Sequence, residues 1–419
     1  MSVWDDLVGQ DPVIAQLRSA VEASTGSSSD ARRASSAGGA SSAGGASDAG
    51  RSSGAGRASG AGGGKMAHAW LFTGPPGSGR SAAARAFAAA LQCSETPRGC
   101  GHCASCHQVL QGTHADVEII RPSGLSFGVK ETRELVLRAS SSPSVGRWQV
   151  VLFEDADRAT EAAANALLKA IEEPPPRTVW LLCTPSPEDM LMTIRSRCRV
   201  VTLRTPPVSA VTDVLVRRDG VDPVTAEIAA RAAQGHISRA RRLATDPDAR
   251  KRRAEVLAIP RRLTGVGPAV IAAEALVKAA EAEAKATTEE LNEVETSALR
   301  QALGESAKGR MPRGTAGALK ELEDKQKSRA TRVKRDALDR ALLDLASYYR
   351  DVLTIQLGAS SDLVNTELDP ELRATASGST PEATLRRLDA IMACRESLDA
   401  NVNPLLAVEA LTLALRTRS

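Results

Sequence analysis

Short, wholly apolar runs separated by stretches with helical spacing organise the first half of the chain. Trp70-Leu71-Phe72, Val117-Glu118-Ile119-Ile120, Gln149 to Phe153, Val179 to Cys183 and Val200-Val201-Thr202-Leu203 read as five strands. Helical patterns fall at Arg80 to Leu91 and at about Thr160 to Glu173. Buried strands alternating with helices predict an α/β fold with a parallel sheet covered on both faces. Ahead of the strands, Asp11-Pro12 opens a short amphipathic helix carrying Val13, Ile14, Leu17 and Val21. Pro206-Pro207 ends the alternation, and beyond it only helical signals follow, including Val224 to Gln234 and Ser238 to Leu243. From about residue 261 the pattern stays helical. Leu338, Leu342, Leu345, Tyr349 and Val352 repeat at 4-3-4-3 spacing, a seam for packing against partner helices. Thr380-Pro381 and Asn403-Pro404 each pair an N-cap residue with a proline at the first helical position. The charged, Gly-containing stretch 305–335 reads as solvated helix and linker.

Composition changes this picture in two places. Residues 24–64 hold Ser, Gly, Ala, Arg and a little Asp and Thr, with a repeated Ala-Ser-Ser-Ala-Gly-Gly at 34–39 and 40–45. Such a segment cannot bury enough apolar surface to offset its ordering entropy, so it reads as a disordered insertion. Over the 419 residues, 54 Lys and Arg face 50 Asp and Glu, a net charge of +4 that does not mark a dedicated nucleic-acid coat protein. An acidic start without an apolar core is no signal peptide, and no apolar run approaches the ~18 residues of a membrane span. The chain is therefore expected to be soluble and cytoplasmic, without a membrane partner.

Candidate chemistry begins with Gly74-Pro75-Pro76-Gly77-Ser78-Gly79-Arg80-Ser81, between the first strand and its helix. That is the context of a phosphate-cradling loop, GxxxxGK[ST]. Its glycines (Gly74, Gly77, Gly79) let backbone N–H groups turn toward an anion at a helix N-terminus, and Ser81 stands where a Mg²⁺ ligand is needed. Arg80 occupies the lysine position, and the two cations are not interchangeable in a tight cradle. The loop therefore reads either as a nucleotide holder with poor hydrolysis or as a retained structural turn. The third strand ends in Glu154-Asp155, where the usual order of metal- and water-orienting acids is Asp then Glu. Each carboxylate's reach changes by one methylene, a second departure in the same machinery.

Cys93, Cys100, Cys103 and Cys106 are spaced x6-x2-x2. Four thiolates at loop spacing suit a closed, structural zinc site; His102 and His107 are alternative ligands that a four-sulfur shell does not require. Cys183 and Cys394 read as core residues. Before the fifth strand, Arg195, Arg197 and Arg199 alternate. Arg195 and Arg199 read as a solvated basic edge. Arg197 is either part of that edge or, facing a neighbour's nucleotide, a group that stabilises transition-state charge in trans.

Together these pieces resemble the clamp-loader ATPases of bacterial DNA polymerase III, of the AAA+ class, and most closely their delta-prime branch. The resemblance rests on Trp4-Asp5-Asp6-Leu7-Val8-Gly9-Gln10, on His68 to Pro75, on the four cysteines, and on Ala156-Asp157-Arg158 continuing into Asn165 to Pro175 with its Glu-Glu-Pro-Pro ending. Ser196-Arg197-Cys198 completes it. It covers about residues 1–205 apart from the insertion and is generic past 260. It implies an AAA+ P-loop parallel-sheet domain (1–205) with a zinc-binding insert (93–106), a small helical lid domain (206–260) and a C-terminal helical collar domain (261–419). It further implies a heteropentamer with gamma/tau motor subunits and a delta subunit, which opens a sliding clamp and places it on primer-template DNA. Arg197 would be the finger reaching a neighbouring motor's ATP. Val8 to Gln10 would lie near an adenine, and Thr184 in a sensor region. The second sensor arginine, expected three residues after Gly235, is displaced: Ser238 stands there and Arg239 follows. The cysteine insert is shorter than the family's between its first two ligands. ATP and Mg²⁺ binding in the chain's own site is in doubt, and zinc is the cofactor expected. The alternatives are an active gamma/tau-type motor or other AAA+ remodeller, and a zinc-dependent nucleic-acid module, which the scarcity of aromatics disfavours.

Overall fold

The computed structural model describes residues 2–36, 66–122, 124, 126–303 and 315–416. The chain forms two compact units, Met1–Arg121 with Gly128–Arg204, and Pro122–Phe127 with Thr205–Ser419.

In the first unit the order is α1 (Asp11–Ser36), β1 (Ala69–Thr73), α2 (Arg80–Gln92), α3 (Ala104–Gln111), β2 (Val117–Ile120), α4 (Val129–Ala139), β3 (Gln149–Phe153), α5 (Glu161–Glu172), β4 (Thr178–Thr184), α6 (Met192–Arg195) and β5 (Arg199–Thr202). All five strands are parallel, in the order β2-β3-β4-β1-β5. The three central strands are buried along their whole length, which is why their sequences run apolar without alternation. The expected strands are found to within a residue or two at their ends. Two helices between β1 and β3, α3 and α4, had no separate signal, and α4 buries only Thr132, Leu135 and Ala139.

Helix α2 lies on the sheet through small residues. Ala83, Ala84, Ala86, Ala88, Ala89 and Ala90 are buried, and Phe87 meets Trp70 edge-on with ring centroids 4.9 Å apart. Alanines bring the helix backbone close, and one ring fills the remaining space; burying a side chain of that size contributes roughly 1.5–3 kcal/mol. Helix α1 runs past the predicted boundary at 24 to Ser36, since extending a helix is far easier than starting one. The rest of the predicted insertion, from 37 on, lies outside the described residues.

In the second unit, α7 (Val208–Asp219), α8 (Pro223–Ala233), α9 (Ile237–Thr245), α10 (Pro247–Leu257) and α11 (Ile259–Arg262) precede the long α12 (Val266–Ala302) and α13 (Ala316–Gln356); α14 (Asp369–Ser377), α15 (Pro381–Asp399) and α16 (Pro404–Leu415) close the chain. Two apolar clusters form within this one unit. The smaller takes Val211, Leu215, Ala230 and Ala240, and the larger takes Leu276, Leu338, Leu342, Leu345, Tyr349 and Val352, the 4-3-4-3 seam. Helix α10 feeds both, Ala249 the first and Val256 the second. Thr380 and Asn403 cap α15 and α16 as their sequence predicts, accepting from Ala383 N at 3.3 Å and Leu405 N at 2.9 Å. The distal parts of α12 and α13 differ from their bases: α13 buries no residue before Ala337 and α12 none after Thr288. There the two helices are joined by polar pairs, Arg329 with Glu295 and Gln326 with Asn292 and Thr296. Residues 304–314, within the predicted linker, lie outside the described residues. No helix among the described residues is long and apolar enough to cross a membrane.

One buried carboxylate ties the loop before β3 to the start of β2. Asp116 accepts from Ser144 N (2.7 Å), Ser144 Oγ (2.8 Å), Val145 N (2.8 Å) and Gly146 N. Burial alone would raise its pKa, but these donors outweigh burial and hold the carboxyl at about 2. The pKa is depressed in the folded state, so the added stability is full above the unfolded value of about 3.9 and fades as pH falls toward 2. Asp116→Ala should lower stability at pH 7 by about 2 kcal/mol in urea titrations. It should also flatten the acid limb of stability between roughly pH 4 and 2; an unchanged acid limb would contradict the assignment.

Candidate functional site

The C-terminal ends of β1, β3 and β4 come together, the edge where parallel α/β sheets bind ligands. Phe72 is level with Cys183, Thr73 with Thr184, and Phe153 with Leu182. Chain leaving β1 enters the glycine loop. Gly74, Gly77 and Gly79 all have positive φ, at 150°, 87° and 89°. Gly74 N donates to Pro185 O at 3.1 Å, and Ser78 N to Pro75 O at 3.0 Å. Gln10, buried under the loop, donates its amide to Arg204 O at 2.6 Å and to Ser78 O at 3.4 Å. The segment expected near an adenine thus braces the loop from beneath.

Arg80 turns its guanidinium back onto the carbonyl of Gly74. A lysine has a single ammonium on a flexible stem; the arginine fork finds an acceptor within the loop itself. Glu154 is held from two sides, by Arg85 at 3.3 Å on one carboxylate oxygen and by Arg121 at 3.1 Å on the other. Asp155, at φ 52°, has Arg158 at 3.8 Å. Both acids predicted to serve a metal and a water therefore face cations of the same chain. Sequence reasoning missed Arg85 and Arg121. Arg85 lies one turn after Ser81 on α2 and offered a faint signal; Arg121 offered none.

The Cys183 thiol, wholly buried at the end of β4, reports how closely these charges gather. Burial pushes its pKa up, the negative Glu154 pushes it further, and Arg80, Asp155 and Arg85 are near enough to act on it. Asp157, two residues past Asp155, is also raised by burial, with Asp155 adding to it, and its Oδ1 is buried without a partner. Thr184, fully buried, donates its hydroxyl to Ser186 O at 3.0 Å.

Arg197 lies away from that edge, past α6. Its Nε is 2.5 Å from Glu172 Oε1, and its Nη1 donates to Thr193 O at 2.9 Å. Glu172 closes α5 at the Glu-Glu-Pro-Pro ending, so two of the segments that carried the resemblance meet here. The side chain stays 41% exposed. Of the flanking arginines, Arg195 pairs with Glu188 at 3.6 Å, and Arg199, exposed as expected, lies over the Trp70 ring at 5.0 Å. In the second unit, Arg239 is engaged by buried Asp344, which also takes Arg253 at 3.2 Å.

The four cysteines form one cluster, with all four sulfurs within 4.8 Å of one another. Cys93 Sγ lies 3.8 Å from Cys100 Sγ and 3.9 Å from Cys103 Sγ. A tetrahedron with metal–sulfur bonds of ~2.3 Å has edges of about 3.8 Å, so these spacings suit zinc. Backbone N–H groups of Cys103 and Cys106 point at Cys100 Sγ and Cys103 Sγ, each at 3.4 Å. Burial opposes ionisation of both Cys103 and Cys106; at Cys103 the Cys106 N–H and the neighbouring thiols outweigh it and lower the pKa, while at the more buried Cys106 burial prevails and raises it. Exposed His102 lies 3.1 Å from the Cys100 carbonyl and is not in the sulfur cluster. The knuckle is packed on the start of the chain: Val3 N and Ser2 Oγ donate to Gly99 O at 3.0 and 2.9 Å.

Comparison with known proteins gives a consistent set. A family described as "DNA polymerase III, delta subunit" matches residues 58–207, and one described as "DNA polymerase III, delta subunit, C terminal" matches 332–417. The chain is 40% identical over 149 residues to the Escherichia coli DNA polymerase III subunit delta', covering 34% of this chain and 44% of that protein. It is 39% identical over 137 residues to the Mycobacterium bovis subunit gamma/tau, covering 32% of this chain and 24% of the relative. The chain thus spans less than half the length of either relative. Among solved structures, a Thermotoga maritima gamma subunit-related protein covers 84% of this chain and 94% of its own, at 17% identity and a TM-score of 0.41.

Two glycines of the loop should respond differently to a methyl group. At Gly74 a Cβ would stand 2.5 Å from Leu203 O, whereas at Gly79 nothing lies within 4 Å and only the positive φ opposes it. Gly79→Ala should therefore lower stability by about 1 kcal/mol and Gly74→Ala by at least twice that. Equal losses in denaturant titrations would show that the close approach at Gly74 does not constrain the loop.

Proposed function

We propose that this chain, which belongs to the clamp-loader family of DNA polymerase III subunits, acts in its assembly as a delta-prime-type member that lends an arginine instead of turning over ATP itself. The observation that carries this reading is the enclosure of Glu154 by Arg85 and Arg121, with Arg80 folded onto Gly74 O. A carboxylate hydrogen-bonded by Arg121 through one oxygen and ion-paired with Arg85 through the other is poorly placed to hold a metal-bound water, and a cation already hydrogen-bonded to its own loop is poorly placed to take a phosphate. Gly74, Gly77, Gly79, Ser81 and Thr184 would then keep the shape of a nucleotide pocket without its turnover. Where Mg²⁺ and ATP do bind, Ser81 and the loop's N–H groups are the residues that would hold them.

Arg197 is the group offered to a partner. Its ion pair with Glu172 joins two half-exposed side chains, and such pairs contribute only about 0–1 kcal/mol, so a neighbouring triphosphate could draw the guanidinium away at little cost. There it would stabilise charge that develops on the transferred phosphoryl group. The expected assembly is a heteropentamer with gamma/tau motors and a delta subunit, acting on a sliding clamp and primer-template DNA. Cys93, Cys100, Cys103 and Cys106 would hold one structural zinc, whose chemistry is to cross-link the knuckle. The similarity to a gamma/tau subunit keeps an active motor as the competing reading.

The isolated chain should hydrolyse ATP at no more than background. Arg197→Ala, in the reconstituted loader, should lower DNA-stimulated turnover at the adjacent site by on the order of 10³-fold while folding is unchanged. Brisk turnover by the chain alone would favour the motor, and full activity of the Arg197→Ala assembly would remove the finger role. Elemental analysis should find one zinc per chain. Cys100→Ser should lose it along with several degrees of thermal stability, whereas a metal-free chain of full stability would refute the zinc assignment.

A further inference from the structure

Within the helical unit, α9, α10 and α11 face α12 and α13 across a cavity of about 500 Å³. Its sides differ in chemistry. Along α12 the wall is made of small apolar residues, Ala272, Ala275 and Ala279, with Ile271 67% exposed beside them. One turn past Ala279 on the same helix, Glu283 gathers Arg242 of α9, Arg252 of α10 and Arg340 of α13 at 2.7, 3.7 and 2.7 Å.

Six arginines and three carboxylates line the cavity. Asp246 and Glu367, outside the lining, pair with Arg252 and Arg253, yet guanidiniums still outnumber acids. One guanidinium has five N–H donors and one carboxylate about four acceptor positions, so Glu283 cannot use what three arginines present. None of the three is buried away: their side chains are 41%, 35% and 35% exposed. Burial works against the charge on Glu283, but Arg340, Arg242 and Arg252 outweigh it and hold the carboxyl below its ordinary range. It is therefore ionised near neutral pH, and the spare donors of the three part-exposed guanidiniums are open to a second anion. A space of this size falls within the range of ~300–1,000 Å³ that takes small organic ligands, with apolar walls and a few convergent polar groups.

We propose that this cavity binds a small organic anion, its apolar body against the alanine wall of α12 and its phosphate or carboxylate head on Arg242, Arg252 and Arg340. The site belongs to the helical unit alone and does not depend on the reading of the glycine loop. A ligand there would touch helices that carry both apolar clusters, and by linkage it would stabilise the unit in proportion to its occupancy.

The test is calorimetric titration of the full chain with 1-naphthyl phosphate, with its neutral counterpart 1-naphthol, and with inorganic phosphate. The first should bind one-to-one and at least tenfold more tightly than either of the others. Ala275→Trp, at an exposed position on the wall, should fill the space and abolish binding; Arg242→Gln should weaken it by on the order of tenfold. Both variants should keep cooperative thermal unfolding, and should Ala275→Trp fail to fold, Ala279→Leu fills the same wall. Any of three results overturns the proposal: no saturable binding to the unaltered chain, equal affinity for 1-naphthol, or undiminished binding to the folded, cavity-filled variant, which would place the anion elsewhere, such as on the glycine loop.

Discussion

The C-terminal edge of the sheet is built on a contact with no room for a side chain. At Gly74 the backbone passes so near Leu203 O that a methyl group would stand 2.5 Å from it. On either side, Leu203 N donates to Thr73 O at 2.8 Å and Gly74 N to Pro185 O at 3.1 Å. The ends of β1, β4 and β5 are thereby clasped, with Gln10 bridging the loop to Arg204. The protein's own backbone sets the form of the glycine loop, so that form does not depend on which side chains stand at Arg80 and Glu154. The shape of this edge rests on main-chain packing, and its charge on a few side chains.

Those charged groups are mostly turned inward. Glu154 shows only 12% of its side chain, and its two arginines reach it from α2 and from the end of β2. Arginine serves this better than lysine would, since a planar fork satisfies a carboxylate from the side and stays charged when half-buried. The same device recurs in the helical unit, where Arg239 and Arg253 share Asp344, and Arg253 also reaches Asn365 and Glu367. Arg239 is in this way committed to its own unit, at the place where the family resemblance looked for a second sensor. Arg197 differs in that its ion pair, with Glu172, is half-exposed and its other partners are Thr193 O and Ser196 Oγ.

Local signals were the legible ones. Apolar runs located the five strands, glycine spacing the loop, and Thr380 and Asn403 the starts of α15 and α16, because in each case the determining atoms are a few residues apart. The sulfur cluster was readable for the same reason. Helix α4 was not, since three buried positions among charged neighbours leave too thin a stripe. Nor could spacing reveal the partners of the site: Arg121 meets Glu154 across 33 residues, and Arg239 meets Asp344 across 105. Spacing also gave no sign that the two ends of α10 face different apolar clusters.

The long pair α12 and α13 is of two kinds along its length. Its base is an apolar seam, and its far part, beyond Thr288 and before Ala337, is stitched by ion pairs and amides. Hydrophobic contact and Coulomb attraction answer oppositely to dissolved salt. Raising ionic strength from 0.15 to 1 M shortens the Debye length from about 8 to about 3 Å, loosening the stitched part while leaving the seam intact. The pair thus meets its solvent in two ways, its apolar base indifferent to screening and its stitched part weakened by it.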